Sequence, residues 1–225
     1  MNISIIIPCL NESIHIRETL QCLQAMRQRG HEIIVVDGGS LDNTLDIANP
    51  LCDELIQCNP GRALQMNTGA GIARNELLWF LHADTQLPSD MDFYLLKTLQ
   101  QSQKVWGRFD IQLSGRQPSL RLVENLINIR SRLSGIATGD QGIFVKTDPF
   151  KQAGGFAEIP LMEDIELSKR LKKRHGRPLC LPQKLLTSSR RWETRGVVRT
   201  ILLMWKLRLY YALGADPSLL ARQYQ

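Results

Sequence analysis

Residues 3–7 form a nearly unbroken apolar run, β-branched except for Ser4, the pattern of a strand buried on both faces. Asn11 then reads as the N-cap of a helix whose Ile16, Leu20 and Leu23 share one face. After Gly30, residues 32–36 repeat the buried-strand pattern, and Ser40 or Asp42 is placed to cap a helix running through Leu45 and Ala48. Leu55-Ile56 reads as a short strand and residues 62–74 as a helix of small residues. Residues 76–81 read as a long apolar strand that stops at His82-Ala83-Asp84. This alternation predicts an α/β fold with a mostly parallel sheet and helices on both faces. Ligands of such sheets bind at the carboxyl ends of the strands, where Asn11-Glu12, Asp37 and Asp84 fall.

The second half is less regular. Strands are predicted over 105–113 and 143–145, and helices over 120–133, 162–175 (with Gly176 as the stop) and 197–213. The last helix is basic and amphipathic, with Ile201, Leu202, Trp205, Leu209 and Leu213 roughly along one stripe. Such a stripe suits a helix lying in a membrane interface; it also suits one packed on the body of the protein or on a second subunit, the preferred reading. No internal repeat or linker-like stretch interrupts the chain, so residues 1–225 read as a single domain.

Apolar residues make up 43% and charged residues 22% of the 225 positions, ordinary values that argue against a disordered or fibrous chain. The five cysteines are odd in number and form no CxxC pair. They exclude a complete disulfide framework and zinc-ligand spacing, and point to a reducing, cytoplasmic compartment. The N-terminal apolar run ends at Pro8 and lacks a basic leader, so it reads as a strand rather than a signal peptide. No stretch approaches the roughly 18 apolar residues of a membrane-spanning helix. The net charge of +6 is uneven: from Glu166 onward fourteen Lys and Arg face only Glu166, Glu193 and Asp216. A basic C-terminal quarter suits a phosphate-bearing ligand, an anionic membrane or nucleic acid.

Five segments carry candidate chemistry, each with a plainer alternative. Asp37-Gly38-Gly39-Ser40-Leu41-Asp42 could hold a ribose or base edge, or be a tight turn with Asp42 as a cap. Asp84 could hold Mg²⁺ or Mn²⁺ on a diphosphate, or merely end a strand in water. Asp164, with Glu163 beside it, could be a general base; the helix dipole alone also favours carboxylates there and would keep Asp164 ionised and weakly basic. Arg190-Arg191-Trp192 could clamp a diphosphate, or be a solvated charge run. Gly139-Asp140-Gln141-Gly142 is a turn able to present Asp140 and Gln141 to a ligand. The four histidines show no zinc spacing, and neither a Walker A sequence nor a G-x-S-x-G elbow occurs.

Taken in order, these segments resemble a family-2 glycosyltransferase of the GT-A fold, in particular a compact bacterial branch without transmembrane segments. The likeness rests on Ile5 to Glu12, Val35 to Thr44, Gly61-Arg62-Ala63, Asn67 to Ala70, Leu81 to Asp84, Gly139-Asp140-Gln141, Gly154-Gly155-Phe156, Met162 to Leu167 and Arg190 to Glu193. The resemblance implies inverting transfer of a sugar from a nucleoside diphosphate to an acceptor hydroxyl, with residues 1–110 binding the donor and 111–225 the acceptor. Asp164 matches the base and Glu163 its neighbour at the acceptor site. Pro8, Asn11, Glu12, Asp37, Asp42, Arg62 and Arg191 fall on the donor side. Gly139, Asp140, Gln141 and Trp192 fall on the acceptor side, and Asp84 matches the last residue of the DxD metal motif, which binds Mn²⁺ or Mg²⁺. Two departures stand out. His82 replaces the first Asp of DxD, and no Gln precedes Arg191-Trp192 where QxxRW would place it, which speaks against processive polymerisation.

A nucleotidyltransferase of the same fold would need a glycine-rich basic loop after the first strand, and Pro8 to Glu12 has neither feature. A basic nucleic-acid-binding protein would leave the acidic residues at strand ends unexplained. The expectation is a cytoplasmic enzyme with no nucleic-acid partner. Peripheral contact with the inner membrane face through 197–213, pairing into a homodimer, and the acceptor all stay open.

Overall fold

The computed structural model describes residues 1–224, with Arg191 in backbone alone. In chain order the elements are β1 (Ile3–Cys9), α1 (Ile16–Gln28), β2 (Glu32–Asp37), α2 (Thr44–Ala48), β3 (Glu54–Gln57), α3 (Arg62–Ile72), β4 (Leu77–Phe80), α4 (Met91–Gln101), β5 (Trp106–Leu113), α5 (Pro118–Ser134), β6 (Phe144–Lys146), α6 (Thr147–Gln152), α7 (Glu163–His175), β7 (Leu179–Thr187), α8 (Arg190–Arg195), α9 (Val197–Ala212) and α10 (Pro217–Tyr224). Short 3₁₀ turns lie at Asn49–Leu51 and Gly139–Gln141.

The seven strands form one sheet in the order β3-β2-β1-β4-β6-β5-β7, in which only β6 pairs antiparallel. Continuous apolar runs in β1, β2 and β4 are explained by burial on both faces. Ile3, Ile5, Ile7, Ile33 and Val35 pack towards Leu20, Leu23, Leu95 and Leu99 of α1 and α4. Ile6, Ile34 and Val36 point the other way, towards Met66, Phe150, Leu167 and Leu171 of α3, α6 and α7. Small residues in α3 have a steric cause: a Cβ on Gly69 would sit 2.6 Å from Ile6 Cγ2, so glycine lets the helix lie directly on β1.

Three local expectations change. Asn11 does not cap α1, which starts at Ile16 after His15; Asn11 has φ 54° and its Oδ1 accepts the N–H of Leu41 at 2.8 Å. Neither cap considered for α2 is its N-cap, which is Asn43; Asp42, one residue earlier, accepts the N–H of Thr44 at 3.0 Å, and the Ser40 hydroxyl turns back to Asp37. The apolar strand expected over 76–81 is shorter, Leu77–Phe80; Leu81 still donates its N–H to the Ile6 carbonyl at 3.0 Å, and the chain then turns at His82-Ala83-Asp84. α4, α6, β7, α8 and α10 also appear, outside the sequence pattern. β7 carries Pro182 at the sheet edge, where a missing N–H is tolerated, and the pairing register with β5 jumps from Phe109↔Leu181 to Asp110↔Lys184 around it. Among the described residues no helix is long and apolar enough to cross a membrane.

Candidate functional site

β1 lies at the point where the strand order reverses, with β2 on one side and β4 on the other, so their carboxyl-end loops flank one crevice. The loops after β1 and β2 are stitched together. Asn11 N–H donates to Ser40 Oγ at 2.8 Å, Glu12 N–H to Thr44 Oγ1 at 2.8 Å, and Ser13 N–H to Asp42 Oδ2 at 3.1 Å. Asp37 is fully buried inside this lattice: its Oδ2 accepts the N–H groups of Gly39 and Ser40, both at 2.8 Å, and its Oδ1 the Ser40 hydroxyl. Burial raises the Asp37 carboxyl, but the bonds from Ser40, Gly39 and Gln57 outweigh it and hold the group below the usual aspartate range. Asp42, bonded to Thr44 and Ser13, is held down to about 2.

Below these loops Gln65 of α3 donates from Nε2 to the carbonyls of Cys9 and Val36, both at 2.8 Å, closing the ends of β1 and β2 over the helix. That anchor fixes the first turn of α3, where Arg62 Nη1 reaches Glu163 Oε1 at 3.5 Å. Glu163 is buried and belongs to the first turn of α7, so one guanidinium joins the two halves of the chain.

A groove of about 1400 Å³ runs along this end of the sheet. It is lined by Pro8, Glu12, Arg62, Asp84, Gly139, Asp140, Glu163, Asp164 and Trp192 of the residues expected from sequence. Asn11, Asp37, Asp42 and Gln141 do not line it; the first three build the loop lattice. Gln141 is fully buried, its side-chain oxygen accepting Thr138 N–H at 3.1 Å in a capping box under the Gly139 turn. Arg191 lies in α8 beside the groove-lining Arg190 and Trp192, but its side chain is outside the described residues.

Asp164 lines both this groove and a small side cavity that Arg62, Phe80, His82, Gly139, Phe156 and Glu163 also line. Its Oδ2 accepts Gly139 N–H at 2.8 Å and its Oδ1 accepts Ile165 N–H at 2.7 Å. Burial, then the charge of Glu163, raise the carboxyl to about 7 against the opposing pull of those N–H groups and Arg62. The helix dipole does not decide the protonation of Asp164, contrary to the expectation from sequence, because burial and a buried neighbouring carboxylate dominate it. Met162 just before α7 has φ 74°, a left-handed backbone that turns the chain sharply into the helix.

Glu12, on the loop after β1, has its carboxyl raised by burial and next by the charge of Asp84, which lines the same groove from the loop after β4. Arg190 counters part of that charge. Arg190 was read from the sequence as part of a diphosphate clamp, whereas sequence reading missed Gln65 and Arg130. Arg130 lines the groove from α5; burial lowers its guanidinium pKa while the charges of Asp140 and Asp164 raise it. A helix-borne Gln or Arg carries no local signal, since its partners come from distant segments.

Comparison with known proteins gives a consistent picture. The family model for glycosyl transferase family 2 matches residues 4–151. Poly-beta-1,6-N-acetyl-D-glucosamine synthase of Staphylococcus epidermidis is 26% identical over 97% of this chain, and the S. aureus enzyme of that name 25%. The chain spans 55% of the length of those curated relatives. Among solved structures, S. aureus TarS 1-349 superposes with a TM-score of 0.67 at 20% identity, over 84% of this chain and 61% of that one. Mannosyltransferase PcManGT from Pyrobaculum calidifontis, solved with GDP-Man and Mn²⁺, gives 0.69 at 19% identity over 92% and 60%.

Proposed function

The chain belongs to glycosyl transferase family 2 and has the GT-A fold, and on that premise we propose that it transfers a sugar with inversion from a nucleoside diphosphate to an acceptor hydroxyl. The observation that carries this reading is the placement of Asp164, a carboxylate raised to about 7, in one groove with the strand-end loops of β1 and β4. A general base works best when its pKa lies near the working pH. In the reaction the acceptor oxygen bonds to the anomeric carbon while the bond from that carbon to the diphosphate oxygen breaks. The hydroxyl proton passes to Asp164, and the nucleoside diphosphate leaves with the bonding electrons.

The remaining roles follow from position. Pro8 and Glu12 border the donor, on the loop lattice that Asn11, Asp37 and Asp42 hold in shape. Arg62 reaches across to Glu163, which is the near neighbour whose charge raises the base. Gly139 and Asp140, with Trp192, border the acceptor, and Gln141 supports their turn. Arg191 is assigned to the diphosphate on its sequence position beside Arg190.

A divalent cation fits the residues present only as a partner of the donor. Among the described residues no group of three or more His, Cys, Asp or Glu could hold a metal alone. Asp84, in the same groove as Glu12, supplies hard carboxylate oxygens of the type Mg²⁺ and Mn²⁺ take together with substrate phosphates. When bound, such an ion supplies charge stabilisation to the departing diphosphate.

The test is a thermal-shift screen of nucleoside diphosphate sugars with and without Mn²⁺, where a donor at 100 times its Kd adds about 2.7 kcal/mol. Asp164→Asn is expected to keep that shift and lose transfer. Near-normal turnover in this variant would sink the base assignment.

A further inference from the structure

The groove continues past the carboxylates. Beyond Asp164 it runs between α5 and α9, where Leu126, Ile129 and Leu133 line one wall and Ile201, Met204 and Trp205 the other. Asp140, Asp164 and Arg130 give it a polar part, whereas the lining from α5 and α9 is mostly apolar, with Arg208 of α9 as its cation.

α9 explains how this apolar lining meets solvent. Its packing is made by Thr200 and Leu207, both buried, with Leu203 and Tyr211. Val198, Leu202, Trp205, Leu209 and Leu213, spaced four, three, four and four apart, run along the opposite face and are between 58% and 74% exposed. A helix that packs on a protein body needs one apolar stripe; this one has two. On α5, Leu122, Leu126, Ile129 and Leu133 form a second exposed line at the same spacing. The outer stripe of α9 is edged by the exposed Arg199 and Lys206, and the helix contains no acidic residue.

We propose that the exposed faces of α9 and α5 seat the protein on an anionic bilayer, and that the acceptor is an amphipathic alcohol reaching Asp164 from that bilayer along the apolar part of the groove. Three features support this occupant. Apolar residues with flanking Lys and Arg suit the boundary of acyl chains and anionic headgroups, with α9 lying in the plane. Trp205 is at once an exposed stripe residue and a wall of the groove, so the surface and the site are continuous. A second copy fits less well, because a two-fold contact would set an unopposed row of cations against itself. The acceptor half of the proposal rests on the transferase reading; the docking half does not.

Co-sedimentation of the full chain with vesicles separates the outcomes. Pelleting with phosphatidylcholine–phosphatidylglycerol vesicles is expected, weakened by salt and much reduced with phosphatidylcholine alone. Leu202→Asp with Leu209→Asp should weaken vesicle binding by roughly tenfold or more, since each change replaces a buried-on-docking apolar group by a charge. These residues do not line the groove, so the thermal shift with UDP or GDP should be unchanged and will also report folding. Arg199→Gln with Lys206→Gln should abolish the preference for anionic vesicles. The proposal is overturned if the wild-type chain stays in the supernatant, or if the Leu202/Leu209 variant pellets like wild type. Sedimentation equilibrium showing a dimer dissolved by that variant would overturn it in favour of a second copy. Absence of any nucleotide shift in the wild type would instead count against the donor reading and leave the vesicle result standing. Extraction of labelled product into organic solvent tests the acceptor half, and a strictly water-soluble product would refute it.

Discussion

The backbone N–H of Gly139 donates to Oδ2 of Asp164 at 2.8 Å, tying together two segments 25 residues apart in the chain. This bond orients the carboxylate that we assign as base. It also pulls the pKa of Asp164 down, against burial and Glu163, which push it up. The residual position, about 7, is thus a balance of groups that can each be altered.

A base must be ionised to act, so kcat/KM should rise with pH below about 7 and level off above it. Glu163→Gln removes the neighbouring negative charge, so the inflection should move to lower pH. Arg62→Met removes a positive charge that favours the ionised form, so it should move to higher pH. The inflection belongs to the Asp164–Glu163 pair, which makes the opposite directions of the two variants the decisive measurement. Identical profiles for all three proteins would contradict the assignment.

Gly139 also sets a steric limit. A Cβ there would lie 2.7 Å from His82 Nε2, so Gly139→Ala must displace either the turn or the histidine. The bond to Asp164 comes from the same residue and would be carried out of place. A shift of about 1 Å can cost on the order of 10²-fold in rate. We expect a loss of that size in kcat, with donor affinity by calorimetry nearly unchanged.

Gly69 supplies a test of the fold. A side chain there would drive into Ile6 and Val36, with the Cβ 2.6 Å and 3.1 Å from their methyl carbons. Overpacking of this kind costs about 1–3 kcal/mol, and each kcal/mol lowers Tm by roughly 2–4 °C in a chain of this size. Gly69→Leu should therefore melt several degrees lower by circular dichroism, and the tilt imposed on α3 should also loosen Arg62 from Glu163.

These cases show what the sequence makes legible. The buried strands stand out because Ile3 to Ile7 and Ile33 to Val36 are apolar whichever face they meet. Asp84 and Asp164 stand out in the sequence as groove-lining carboxylates because each marks a recognisable local event, the end of β4 and the start of α7. α4 escaped because its buried line, Met91, Leu95 and Leu99, is blurred by the exposed Phe93 and Tyr94. β7 escaped because Pro182 and Lys184 break its pattern, an irregularity that a sheet edge accommodates. Gln65 and Arg130 gain meaning only from partners brought by the fold. The stripe on α9 was visible, but its outward direction was not, since the helix is apolar on both faces.

Asp92 governs a second buried charge centre, remote from the groove. It accepts from Arg29 Nε and Nη2 at 2.8 and 2.7 Å and lies 2.9 Å from His31 Nε2, whose other ring nitrogen accepts Ile3 N–H at 3.2 Å. His31 is therefore neutral with its proton on Nε2, donated to Asp92. Burial raises the Asp92 carboxyl, but Arg29 and His31 together bring it below the usual range. A lowered folded pKa contributes stability above the unfolded value of about 3.9 and loses it as pH falls through that value and the lower folded one. Asp92→Ala should cost about 2–3 kcal/mol at neutral pH, because His31 keeps a buried donor without acceptor while Arg29 can turn to solvent. The difference in Tm between variant and wild type should narrow in strong acid.

Asp84 offers the test of the cation. His82 leaves it as the single carboxylate of its motif, and its charge helps to raise the carboxyl of Glu12 in the same groove. If Asp84 and the donor phosphates share a divalent ion, the ion and the nucleotide must bind with mutual support, since neither carboxylate alone makes a complete site. Calorimetry of UDP or GDP should then show a gain in affinity of roughly 5–150-fold on adding Mn²⁺, the usual range of such coupling. Chelation by EDTA should reverse it. Asp84→Asn should keep weak, metal-independent nucleotide binding and lose the gain. Equal affinity with and without Mn²⁺ in the wild type would remove the cation from this site and leave the diphosphate to Arg190 and its neighbours.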